Sequence, residues 1–179
     1  MHGLVSLLPQ PYFQQVEALW QELETIYHLH GIQVTPLAHF SWQIAQDYDF
    51  DYLEAIIRDI ASRTSPFVVR TTGLGLFTGF RPVLFIPVVK DANLVKLHAE
   101  IWEQTRSASQ GQSLYYDPEH WMPHISLAYE DIDAQNIGPI LQALTFRTFD
   151  WEMTIDNIAL IYEPEGEIGR LKFTINLTG

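Results

Sequence analysis

The feature that most constrains this chain is an order of elements it runs through twice, each time with a His-x-Ser stretch set in an apolar strand. The first copy is Pro36-Leu37-Ala38-His39-Phe40-Ser41-Trp42-Gln43-Ile44-Ala45. The second, Trp121-Met122-Pro123-His124-Ile125-Ser126-Leu127-Ala128-Tyr129, places its histidine 85 residues further on. Side chains alternate along a strand, so His39 and Ser41 project to one side while Phe40 turns into the core, and His124, Ser126 and Ile125 repeat the arrangement. Two such strands can line one cleft.

The surrounding pattern supports the repeat. Residues 3–8 read as a strand and 10–28 as an amphipathic helix, with Phe13, Val16, Trp20, Leu23 and Tyr27 on one stripe. The first His strand follows at 37–45. Asp49 then caps a helix over 50–63 that buries Leu53, Ile56, Ile57 and Ile60. Strands are predicted at 67–77 and 83–89. In the second half the 83–89 strand is followed by a helix over 92–106, capped by Asp91 and carrying Leu94, Leu97, Ile101 and Trp102, with Trp102 placed like Trp20. The second His strand spans 121–129, Asp133 caps a helix through Leu144, and strands at 151–162 and 171–177 close the chain around the turn Glu163-Pro164-Glu165-Gly166. The 83–89 strand belongs to both readings, so the strand pairing stays open. The plan is α+β, with one His-x-Ser strand per half.

Composition limits the chemistry. At 179 residues and 47% hydrophobic, the chain can bury one sizeable core or two small lobes. It has no cysteine, which excludes disulfides and thiolate chemistry and leaves only His and carboxylates for any zinc site. The N-terminal stretch lacks the basic region and apolar length of a signal peptide, and no run approaches the length of a membrane span; a cytoplasmic protein without a membrane partner is expected. The formal net charge of −12 argues against an extended nucleic-acid surface. A small anionic ligand held by a few local donors remains compatible with it.

The two motifs, with the stretch Gly73-Leu74-Gly75-Leu76-Phe77 followed by Arg81-Pro82-Val83-Leu84-Phe85 as a central hairpin, resemble the 2H phosphoesterase superfamily, which includes 2′-5′ RNA ligase-like proteins and cyclic nucleotide phosphodiesterases. The resemblance covers about residues 3–177. It implies one bilobal domain over 1–179 with internal duplication, its two pseudo-symmetric lobes each an antiparallel sheet with helices packed outside, around a central cleft. It also implies His39 and His124 as catalytic residues and Ser41 and Ser126 as phosphate-binding residues. Serine stands where the family often has threonine, which keeps the hydroxyl and loses a methyl that restricts χ1.

The implied chemistry explains the pairing. Opening a 2′,3′-cyclic phosphodiester needs a base for water on one side of phosphorus and an acid for the leaving ribose oxygen on the other, and two imidazoles supply both near neutrality. The serines would donate to the non-bridging oxygens. The expected activity is a metal-independent, cofactor-free phosphodiesterase, most simply a monomer, acting on a small nucleotide-like or RNA-end diester and leaving a 2′-phosphate. Its alternatives are 2′-5′ ligation at the same site and non-catalytic binding of a phosphorylated ligand.

Other residues carry plainer readings. A lone histidine in an apolar strand is ordinarily a hydrogen-bonded core residue, and only the pairing lifts His39 and His124 above that. His28 and His30 close a helix, His98 faces the core and His2 is terminal. His120 and His124 have a four-residue spacing that suits a metal on a helix, but Pro123 and the strand pattern oppose one. The glycines of 73–79 fit a hairpin turn better than a phosphate loop, since no helix follows. Arg81 is read as an exposed turn residue. Tyr129, by alternation, falls opposite the histidine, and Trp42 packs elsewhere.

Overall fold

A computed structural model describes residues 1–179. In chain order its elements are β1 (His2–Leu7), α1 (Tyr12–Tyr27), β2 (His39–Ala45), β3 (Asp47–Tyr48), α2 (Phe50–Ser62), β4 (Phe67–Arg70), β5 (Gly75–Phe77), β6 (Val83–Pro87), α3 (Ala92–Thr105), β7 (Ser109–Gln110), β8 (His124–Tyr129), α4 (Ile137–Leu144), β9 (Glu152–Ile155), β10 (Asn157–Tyr162) and β11 (Arg170–Asn176).

Apart from the short separate pair β3-β7, the strands form two antiparallel layers. One is a four-stranded sheet in the order β11-β10-β1-β2. The other joins the sheet β5-β6-β8 to the pair β4-β9 through a bridge between Thr71 and Val88. The predicted 67–77 strand is therefore interrupted between β4 and β5, where Gly73 takes φ +53°, a conformation that costs glycine little. In both layers the His strand comes last in the order, and the two end strands, β2 and β8, meet in the middle of the molecule.

Helix placement crosses between the halves. The helix preceding the first His strand, α1, packs against β8 of the second layer, while α3 packs against β2 and α2 against β10 and β11 of the first. Asp49 accepts from the Tyr52 N–H and Asp91 from the Leu94 N–H, so both predicted caps are present. Asp133 instead caps a turn, accepting from Gln135 and Asn136, and α4 begins only at Ile137. The predicted 151–162 strand divides at Asp156, with β9 in the second layer and β10 in the first. The β6 strand pairs with β5 and β8, which assigns it to the second layer.

One core runs through both layers. A cluster of 39 buried residues includes Phe40, Trp42, Leu84, Ile86, Trp121 and Ile125. Phe40 and Ile125, the middle residues of the two motifs, are 0% exposed, so each motif is anchored from behind. Truncating such a buried side chain to alanine typically costs about 2–5 kcal/mol.

Candidate active site

Strand register defines which side chains share a sheet face with each motif histidine. Directly opposed residues on paired strands point to the same side. In the second layer His124 faces Pro87, Ser126 faces Phe85 and Tyr129 faces Val83, three partners that alternate regularly along β6. Between Ser126 and Ala128 the register slips by one residue at Leu127, a β-bulge. In the first layer His39 faces Leu7, Ser41 faces Val5 and Ile44 faces Gly3, and the slip falls at Trp42. Each motif is thus followed, at the same position, by a bulge.

That bulge corrects one expectation. Plain alternation sends Tyr129 to the face opposite the histidine, but the extra residue at Leu127 brings it back beside His124 and Ser126. Its counterpart in the first layer is Ile44.

The two imidazoles are held alike. His39 Nδ1 lies 2.5 Å from the Leu37 carbonyl and His124 Nδ1 lies 2.7 Å from the Met122 carbonyl, each two residues upstream. A carbonyl only accepts, so Nδ1 carries the hydrogen and the lone pair of the neutral ring sits on Nε2. Both rings are half-buried. Burial pushes the His39 pKa down to about 4, helped by the charge of His124 and opposed by the Leu37 carbonyl. His124 is also lowered by burial, against the pull of the Met122 carbonyl. The rings are therefore close enough for the charge on one to act on the other.

The walls differ. On the second layer His124 is flanked by Phe77 and Phe85, each with its ring centroid 5.0 Å away. Gly75 makes room for this, because a Cβ there would meet the Phe85 ring at 2.2 Å. On the first layer Leu7 and Leu37 pack over Val5, Ala159 and Ile161. Ser41 is 8% exposed, and β2 packs against the turn that carries Tyr116, whose pKa burial raises to about 12, so that phenol stays protonated at neutral pH. Tyr116 lies in the loop before β8, and no local pattern marks it; only the folded chain brings its turn to β2.

The remaining candidates fall away from the motifs. His120 binds Asp117 at 2.9 Å, and no three His, Asp or Glu side chains gather in the chain. His28 ends α1, and His30 lies 3.1 Å from Glu24. His98 is 1% exposed in the core. His2 stacks on Tyr162 within β1. Arg81 pairs with Glu130. Two surface cavities, of about 270 and 400 Å³, lie beside α1 with residues 147–151 and beside the β5–β6 turn, and neither contains a motif residue.

Two sheets whose end strands each present an imidazole and a hydroxyl define a class, and comparison with known proteins agrees with it. Residues 12–167 match the 2′-5′ RNA ligase superfamily, and the chain belongs to that family. Relatives from Bacillus cytotoxicus and Bacillus mycoides, whose names place them among the phosphoesterases, are 26% and 25% identical over 154 residues, 84% of each chain. Among solved structures, a protein of Thermus thermophilus superposes with a TM-score of 0.62 at 22% identity, covering 99% of this chain and 98% of its own. LigT of E. coli, complexed with 3′-AMP, gives 0.64 at 14% identity with the same coverage. These structures share the fold.

Proposed function

We propose that this protein is a phosphodiesterase that opens a 2′,3′-cyclic phosphate, or a related nucleotide-like diester, to a 2′-phosphate without a metal. The observation that carries the reading is the matched pair of imidazoles, each fixed through Nδ1 with Nε2 free and each accompanied by a serine on the same strand face. The family, the names of the Bacillus relatives and the 3′-AMP bound to LigT support it. The same parallels support one bilobal unit with an internal duplication.

His39 is the base and His124 the acid in this scheme. Burial depresses His39 strongly, to about 4, while His124 is lowered less, so the scheme places a single shared proton on His124. Neutral His39 takes a proton from water through Nε2 as the water oxygen attacks phosphorus. The P–O3′ bond breaks on the opposite side, and His124 gives its proton to the departing O3′. Ser41 and Ser126 donate to the non-bridging oxygens, a contribution of about 2.7–4 kcal/mol per donor in well-measured sites.

The test is incubation with each nucleoside 2′,3′-cyclic monophosphate in EDTA, resolving 2′- from 3′-phosphate products. His39→Ala and His124→Ala should each lower kcat by about a hundredfold to ten-thousandfold while the protein stays folded. Full activity in either variant, or a rate abolished by the chelator, would sink the scheme. End joining at the same site is the second reading, favoured by the family to which the chain belongs. A net charge of −12 weighs against a long RNA track, and strong salt-dependent RNA binding would reverse that judgement.

A further inference from the structure

Each motif serine has its main-chain carbonyl bound by an indole from outside its own strand. Trp121 Nε1 donates to the Ser41 carbonyl at 2.9 Å, and Trp20 Nε1 donates to the Ser126 carbonyl at the same distance. Trp20 sits on α1, in the first half of the chain, yet serves the second motif. Trp121 lies three residues before His124, yet serves the first.

Geometry gives these bonds a purpose beyond filling space. As end strands, β2 and β8 leave carbonyls unpaired on the edges that meet at the centre, and a buried carbonyl without a donor is costly. Both bonds also fall on the peptide unit entering a bulge, Ser41–Trp42 and Ser126–Leu127, where the ladder to the neighbouring strand is locally disrupted. There the partner strand alone does not fix the serine. An indole offers one donor on a rigid ring, and Trp121 is itself clamped, stacked 3.7 Å from the His98 ring on one contact and 5.5 Å from Trp42 on another. His98 Nε2 continues the pattern at the next residue, 3.1 Å from the Trp42 carbonyl.

We propose that Trp121 and Trp20 are positioning residues, Trp121 for Ser41 and Trp20 for Ser126, so that the serine of each motif is aimed by the other half of the chain. This rests on the reading that both serines bind the reacting phosphate. Neither tryptophan touches the substrate. Each sets the direction of a hydroxyl, and small displacements of such groups cost on the order of tenfold to a hundredfold in rate.

The experiment crosses Trp121→Phe and Trp20→Phe, which keep an aromatic ring and lose the N–H, with Ser41→Ala and Ser126→Ala, measuring kcat and KM on a 2′,3′-cyclic nucleotide. Each Phe variant alone should lose about tenfold to a hundredfold in kcat with KM little changed. In the Ser41→Ala background Trp121→Phe should add less than about twofold, while in the Ser126→Ala background it should keep its whole effect; Trp20→Phe should show the mirror image. Equal losses in both backgrounds, or an unchanged kcat in either Phe variant, would overturn the proposal. Should a Phe variant fail to fold, benzothienylalanine at that position keeps the indole shape without the donor and takes the same cycle. If the serine variants retain full kcat, the serine assignment falls and the positioning claim with it. If they lose activity and the Phe effects simply add, only the positioning claim falls.

Discussion

His39 and His124 are alike in their hydrogen bonds and unequal in their hold on a proton. Burial lowers both, and the charge of His124 lowers His39 further, to about 4. A base works only when neutral, so kcat/KM should rise with pH through the His39 pKa and fall as the acid His124 deprotonates below its ordinary value near 6.5. The bell should therefore lie on the acid side of 6.5, and an optimum above pH 7.5 would contradict this assignment of roles. Replacing His124 with Gln removes the neighbouring charge, so the His39 pKa should move up. A ring-proton NMR titration reads it directly, and no movement would mean that the rings do not interact. The motif residues were legible in the sequence because alternation holds from each histidine to its serine. Tyr129 was not, because nothing in Ser126-Leu127-Ala128 announces a bulge, and Tyr116 and Trp121 owe their roles to contacts about 75 and 80 residues away in sequence.

Elements were legible where one periodicity ran unbroken and illegible where sheet membership decided. The stripes of α1, α2 and α3 and the caps Asp49 and Asp91 are local facts, written in spacing. Which layer receives which helix is not local: α1 crosses to β8, and the 151–162 stretch serves two sheets. Trp102 shows the limit of counting, since it is only half-buried while His98 makes the bond to β2. The crossing is held in part by the loop after α1, where His30 and Gly31 donate to Asp131 and Gly31 passes against the end of β8. A Cβ at Gly31 would sit 1.7 Å from the Tyr129 carbonyl oxygen, backbone against backbone, with no side chain free to yield. Gly31→Ala should cost at least about 2 kcal/mol in chemical denaturation, the range of overpacked sites. A variant within about 0.5 kcal/mol of wild type would show that this loop can retreat from β8.

At the scale of the whole molecule, acid sets two effects against each other. With a net charge of −12, protonating carboxylates relieves self-repulsion and favours the compact state as pH falls. The exposed ion pairs, such as Arg58 with Glu54 and Arg70 with Glu152, weigh little in this balance. His98 acts in the other direction. Its ring is 1% exposed, and burial lowers its pKa to about 4, aided by the charge of Lys90 and opposed by the Trp42 and Tyr116 carbonyls and by Asp117. The unfolded chain takes up that proton near pH 6.5 and the folded chain only near 4, so between these values the unfolded state binds more protons and stability drops as the pH drops. The contribution is fully present above 6.5, is lost on descending to 4, and is on the order of 3 kcal/mol. His98→Gln keeps a donor for the Trp42 carbonyl and removes the titration. Urea unfolding at pH 7.5, 5.5 and 4 should find the variant less stable at the highest pH but losing about 3 kcal/mol less than wild type across the series. Charge relief is common to both proteins and cancels in the comparison, so equal acid losses would show that His98 is protonated in the fold, held between its two carbonyls as a cation.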